Sequence, residues 1–356
     1  MKIFSVLLFM ISVSLSVCAQ GDNYELVWSD EFDGNGALDA SKWHHQTQIP
    51  NGDSWYNNEI QHYTSRTDNS FMSDGTLKIV AKEETFTDQG VTKTHTSARL
   101  NSKFAFTYGY VSVRAKLPIG IGTWPAIWTL GQNIIEPGGF WSQSMGTISW
   151  PACGEIDIME HWGDNQNYVQ SAMHTPSSFG NTVNKGGQVI PTASSEFHEY
   201  TLEWTPEQMI FSVDGVVHYT YDPAVQNPST WPFDAPQYFL FNVAILPEIL
   251  DSFTESAMEI DYIRVYQDPT LSITEEVLDN QIQLYPNPVV DTISLQVSPA
   301  LVGTKATLYS LTGQQLYIVD IQNENTSIDV SKYAKGVYIL ALEKEGVRVV
   351  KQVIKQ

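Results

Sequence analysis

The stretch "GEIDIMEHWG", residues 154–163, places three carboxylates on six consecutive positions: Glu155, Asp157 and Glu160. Ile156, Ile158 and Met159 separate them. In a strand, alternate residues share a face, so Glu155 and Asp157 point the same way and Glu160 is one residue out of phase. Three acids this close most often form a solvated face or a cation site. The apolar spacers say otherwise, because they give the segment one buried face. One extra residue, a β-bulge at Ile158 or Met159, returns Glu160 to the face of the other two. Two matched carboxyls about 5–5.5 Å apart are what a retaining glycosidase uses, one as nucleophile and one as proton donor. Four positions along a flat strand span about 13 Å, so the two glutamates can meet only across a curved sheet. Asp157 between them would keep their pKa values apart.

Strands must carry such a segment, and the chain supplies them. From about 24 to 267, segments such as "YGYVSVRAKL", "EYTLEWT" and "MEIDYIRVYQ" alternate or are rich in β-branched and aromatic residues. Asp214-Gly215 is a hairpin signal, and no long stretch has a helical period. The expected fold class is all-β: an antiparallel β-sandwich of jelly-roll type. Residues 268–281 break the pattern and read as a linker. Short strands resume at 282 and form a second, small β-sandwich ending at 356.

The chain has 356 residues, 42% hydrophobic and 17% charged, which is enough for a packed core. Its net charge of −21 argues against nucleic acid and anionic membrane surfaces as partners. Residues 272–356 hold nine acids and seven bases, a net of −2, so the remaining −19 belongs to the large unit. Residues 1–19 read as a secretory signal peptide cleaved after Ala19, with a lipoprotein at Cys18 as the alternative. Cleavage after Ala19 leaves Cys153 alone, a small buried hydrophobe with no disulfide partner. No later run is long enough to span a bilayer.

Residues 24–267 resemble glycoside hydrolase family sixteen, in its laminarinase (endo-β-1,3-glucanase) branch. The motifs are "WSDEFDG" (28–34), "NNEIQHYT" (57–64), "YGYVSVRAKLPIGIGTWPAIWTL" (108–130), "WPACGEIDIMEHWG" (150–163), "SAMHT" (171–175), "FHEYTLEWTPEQMIFSVDG" (197–215) and "IDYIRVYQ" (260–267). The resemblance implies a jelly-roll with a concave substrate cleft. It makes Glu155 the nucleophile, Glu160 the general acid/base and Asp157 the assisting carboxylate. It sets His174 beside them to orient the sugar. It places Trp124, Trp128 and Trp162 in the cleft, with Asn57, Arg99 and Asn242 as polar contacts to substrate. It also implies a structural calcium ion, held by Glu31, the Gly75 carbonyl and Asp261, with no cofactor for catalysis. The segment after "FLFNVA", "ILPEILDSFTESAM" (245–258), departs from the family and would alter one side of the cleft.

Residues 282–356 are similar to the C-terminal sorting domain of the type IX secretion system, through "LYPNPVVDTISL", "LYSLTGQQL", "KGVYIL" and the basic end. The alternative is a sugar-binding sandwich, against which stands the lack of an aromatic platform. The expectation is therefore a monomeric enzyme, secreted or held on the surface of a Gram-negative bacterium, that hydrolyses β-1,3-glucan with retention. The alternatives are a mixed-linkage glucanase, an agarase-like hydrolase or a non-catalytic glucan binder.

Overall fold

The computed structural model describes residues 24–50, 52–233, 235–268, 282–311, 313–344 and 347–356. The expected signal peptide and nearly all of the expected linker lie outside these residues. Between 24 and 268 the chain forms two sheets. One has ten strands, centred on Gly109–Lys116 and Glu255–Gln267. The other has seven, in the order Lys185–Val189, Tyr168–His174, Glu155–His161, Thr123–Gly131, Gln237–Ile245, Arg99–Phe106 and Trp43–His45. Pairing is antiparallel throughout, apart from His62–Tyr63 against Val91–Ser97. The Asp214-Gly215 turn has φ of 50° and 76°, as a two-residue hairpin between Met209–Val213 and Val216–Tyr221 requires.

The sequence alternation becomes burial. Val111, Val113 and Ala115 of one sheet and Phe239, Phe241 and Val243 of the other enter the same core. Leu240, Asn242 and Ala244 alternate with the latter, and Asn242 and Ala244 line a cavity on the outer face of the seven-stranded sheet. That division sets what reaches the site. The one α-helix among the described residues is the four-residue Ser142–Met145. No helix among them is long and apolar enough to cross a membrane.

Residues 282–356 form a three-stranded and a four-stranded sheet around a separate core that includes Ile293, Leu308 and Leu340. Asn287 of the "YPNP" segment clasps the final strand: its amide donates to Gln352 O at 2.6 Å and its oxygen accepts from Ile354 N at 2.8 Å.

Candidate active site

The acidic strand, Glu155–His161, contains the bulge that its spacing predicts. Against Tyr168–His174, Asp157 pairs with Ala172 and Glu160 with Gln170, so Ile158 and Met159 together oppose Ser171. Against Thr123–Gly131, Asp157 pairs with Trp128 and Met159 with Ile127, which leaves Ile158 as the extra residue. Ile156, Ile158 and Met159 all enter the core, and Glu155, Asp157 and Glu160 all face a cavity of about 450 Å³. His174, Trp124, Trp128, Trp162, Asn57, Arg99 and Asn242 line the same cavity.

Each carboxylate has its own donors. Trp150 Nε1 donates to Glu155 Oε2 at 2.7 Å. Trp124 Nε1 donates to Glu160 Oε1 at 3.1 Å, and Gln170 Nε2 to Oε2 at 3.5 Å. His174 Nε2 lies 3.1 Å from Asp157 Oδ2 and 3.6 Å from Glu155 Oε1. The Gly180 N–H donates to His174 Nδ1 at 3.0 Å, so in the neutral ring the proton sits on Nε2 and faces both acids. Glu155, Asp157 and His174 have the spacing of metal ligands. A metal on Nε2 would move the proton to Nδ1, against the Gly180 N–H. The set therefore suits hydrogen bonding to carboxyls, not metal coordination.

Burial raises all three acids to about 8. For Glu155 and Glu160 the charge of Asp157 adds to it, while His174 and the indole donors pull the other way. For Asp157 a hydrogen bond with Glu155 opposes burial. The cluster thus holds protons at neutral pH.

The aromatic residues are set from behind. Trp124 stacks on Trp162 with centroids 5.6 Å apart. Trp128 donates to Asn242 Oδ1 at 2.7 Å, and the Arg99 guanidinium lies 4.7 Å from its ring centroid. Arg99 is buried, with Nε on Gln46 at 2.9 Å and Nη2 on Glu136 at 2.7 Å. Asn242 Nδ2 donates to the Tyr63 hydroxyl at 3.2 Å, which in turn donates to buried Glu59 at 2.8 Å. Sequence reading missed Glu59, Glu136 and Gln170. Glu59 stood inside a quoted motif, but Glu136 lies in a Gly-Pro loop with no pattern to mark it. Cys153 is buried and its thiol is pushed up to about 12 by that burial, which makes it inert.

Two expectations meet different geometry. The divergent segment 245–258 does not line the cavity beyond Ala244. It turns away and packs on the 120–123 turn, where Leu246 N donates to Gly122 O at 2.8 Å. Gly122 has φ +89°, and a Cβ there would sit 2.4 Å from Ile249 Cα. The expected calcium ligands do converge: Glu31 follows the strand paired to Ile263, and Gly75 precedes the strand paired to Ile260, flanking Asp261. Yet Glu31 is held by both Arg264 Nε at 3.0 Å and Nη2 at 2.7 Å, and Asp261 by Arg114. Both carboxylates are spent on guanidinium groups, so the donors as folded do not fit a divalent cation.

A family profile, "Glycosyl hydrolases family 16", matches residues 57–264, and "Secretion system C-terminal sorting domain" matches 283–356. A beta-glucanase of Rhodothermus marinus is 35% identical over 283 residues, covering 73% of this chain and 93% of that protein. A variant of LamA from Z. galactanivorans, solved with laminaritriose and laminaritetraose, is 47% identical with TM-score 0.63, covering 68% of this chain and 98% of its own. SCLam, a non-specific endo-beta-1,3(4)-glucanase, is 36% identical with TM-score 0.62, covering 70% and 92%. The matched span takes in the acidic strand, its bulge and the aromatic cleft, and with them this chain belongs to glycosyl hydrolase family 16 and carries a secretion sorting domain behind its hydrolase.

Proposed function

We propose that this enzyme cleaves β-1,3-glucan internally and with retention of anomeric configuration. The observation that carries the reading is the bulged strand, which sets Glu155, Asp157 and Glu160 on one face of an aromatic-lined cavity. Glu155 attacks the anomeric carbon while Glu160 passes its proton to the leaving oxygen. Water then displaces Glu155, with Glu160 as base. The raised pKa of Glu160 suits a group that must be protonated at the first step. Burial raises Glu155 as far; the N–H groups of Trp150 and His174 oppose that rise, and Glu155 must give up its proton before it attacks. Asp157 lies 3.1 Å from His174 Nε2, and its charge raises both neighbours. Trp124, Trp128 and Trp162 offer flat apolar faces to sugar rings, with Asn57, Arg99 and Asn242 as the polar frame.

Incubation with laminarin, lichenan and agarose, followed by reducing-end measurement and NMR of the first-formed anomer, tests this. The expected result is laminarin cleaved fastest with the β-anomer first. The likeness to SCLam favours partial lichenan cleavage as a second activity. Initial α-anomer, or agarose as the preferred polymer, would refute the assignment.

We further infer that the monomeric enzyme leaves a Gram-negative cell through the type IX system, using residues 1–19 and 282–356. The two separate cores support this division. A chain ending at residue 268 should keep wild-type specific activity on soluble and insoluble glucan. In the native host it should collect in the periplasm; unchanged export would remove the sorting role.

A further inference from the structure

A bulge breaks the hydrogen-bond ladder and leaves the extra residue's backbone groups without strand partners. Here the catalytic phase of Glu160 depends on that break. A single residue, Ser171, faces the two-residue gap from the neighbouring strand. Its hydroxyl donates to Ile158 O at 2.7 Å, and the serine is fully buried on the core side of the sheet. Ser171 Oγ also lies 2.9 Å from Nε2 of His218, which comes from the opposite sheet. Because the serine proton is committed to the carbonyl, Nε2 must donate and Nδ1 must accept. Gln188 Nε2, 3.3 Å from Nδ1, is the matching donor. Burial depresses His218 to about 4, so the ring stays neutral and this order of donors persists. The direction of every link is thus fixed: Gln188 to His218, His218 to Ser171, Ser171 to the bulge.

We propose that Ser171, oriented by His218, is a positioning residue that locks the bulge and thereby aims Glu160 at the leaving oxygen. It touches no substrate. The inference rests on the reading of Glu160 as proton donor. Its effect is one-sided. Glu155 and Asp157 precede the bulge and are held by their own pairing to Leu130, Trp128, His174 and Ala172. Glu160 follows it, so a loosened bulge displaces the acid and spares the nucleophile.

That asymmetry can be measured with leaving groups. Laminarin needs a proton on its departing oxygen; a dinitrophenyl β-laminaribioside does not. For Ser171→Ala, kcat/KM on laminarin should fall roughly tenfold or more, while kcat/KM on the dinitrophenyl substrate stays within about twofold of wild type. Equal losses on both substrates would mean a merely structural serine and would overturn the proposal, as would no loss on either. If Ser171→Ala fails to fold, Ser171→Cys keeps a donor at this position, slightly larger and weaker. It should show the same selective loss in smaller measure, and equal losses there overturn the proposal too. Glu160→Ala, run alongside, should show the larger version of this selectivity. If it shows none, Glu160 is not the proton donor; the functional assignment then fails, and the role of Ser171 falls with it.

Discussion

On the ten-stranded sheet, Glu31 meets Arg264, Asp261 meets Arg114, and Glu259 meets Lys78 and Lys116, both at 2.7 Å. On the seven-stranded sheet, Glu155, Asp157 and Glu160 meet one another, His174 and the N–H groups of Trp150, Trp124 and Gln170. The residue types are the same, but Glu31 and Glu259 are lowered and the cleft acids are raised. The hydrogen bond from Arg264 lowers Glu31. Burial works against Glu259, but its two lysines outweigh it and lower that group too. Among the described residues no lysine or arginine is paired with the three cleft acids, and burial raises all three. The first set is what a sheet does with acids when stability alone is served. The second keeps a proton available and an oxygen unpaired; Asp157 Oδ2 is buried without a hydrogen bond of good geometry. Strain of that kind marks a site of chemistry.

The widest separation of the two sets comes from removing members of each. Glu155→Ser should lower turnover of laminarin by about 10³-fold or more while oligosaccharide binding persists, and Glu160→Ala should do the same. Azide should restore turnover of an activated aryl glycoside by Glu160→Ala and give the β-azide. An α-azide would exchange the two roles. Glu259→Gln, by contrast, should leave kcat unchanged.

The pH dependence of stability sharpens the contrast. Asp157 titrates at about 8 in the fold, above its ordinary 3.8. The folded chain therefore holds a proton that the unfolded chain releases. Below pH ~4 both states are protonated and the group costs nothing; the cost grows as pH rises and is complete above about 8. Asp157→Asn should raise Tm relative to wild type more at pH 9 than at pH 4, read by thermal melts across that range. The same change removes a charge that raises Glu155 and Glu160, so the alkaline limb of kcat/KM should move to lower pH. A constant Tm difference across the range would show that Asp157 is not held as a protonated carboxyl.

A smaller effect is expected one layer behind the cleft. Asn242→Ala leaves the Trp128 N–H without its acceptor and takes one donor from the Tyr63 hydroxyl, which keeps Glu59. An orphaned buried group costs about 1–3 kcal/mol, so Tm should fall. A loosened Trp128 should raise KM for laminarin with little change in kcat. A pure kcat effect would place Asn242 in the chemistry and not in the frame.

These contrasts also mark what could be read from residues alone. The bulge was legible because its count is local: E-x-D-x-x-E is one residue too long for a strand face, and hydrophobic spacers name the buried side. The tryptophans and His174 were legible through their motifs. Ser171 was quoted in "SAMHT", yet its role depends on which residue faces the gap, and that is a matter of register. Glu136 meets Arg99 from 37 residues away, across a loop without periodicity. The divergent segment 245–258 looked like cleft because it follows a cleft strand; only the close approach at Gly122 turns it aside. The expected calcium junction of Glu31, Gly75 and Asp261 was read without its arginine neighbours. Its three oxygen donors were found, but the cations opposing them were not, because Arg264 and Arg114 reach it through pairings of Glu255–Gln267 with two different strands.

That junction yields the smallest expected effect. A divalent cation there would have to release Arg264 from a two-pronged contact with Glu31 and Arg114 from Asp261, and then bind what remains. Half-exposed ion pairs of this kind are each worth about 1 kcal/mol or less, so Arg264→Ala should lower Tm only slightly and leave kcat unchanged. A ligand that binds only the folded state raises Tm by mass action, and its removal must lower it. With the carboxylates already neutralised, a chelator should leave Tm where it was, and calcium added back should do nothing. A fall in Tm with chelator that calcium reverses, and that Glu31→Gln abolishes, would show that the arginines give way to the ion. The ten-stranded sheet would then bind metal with the same acids that it otherwise pairs with arginine.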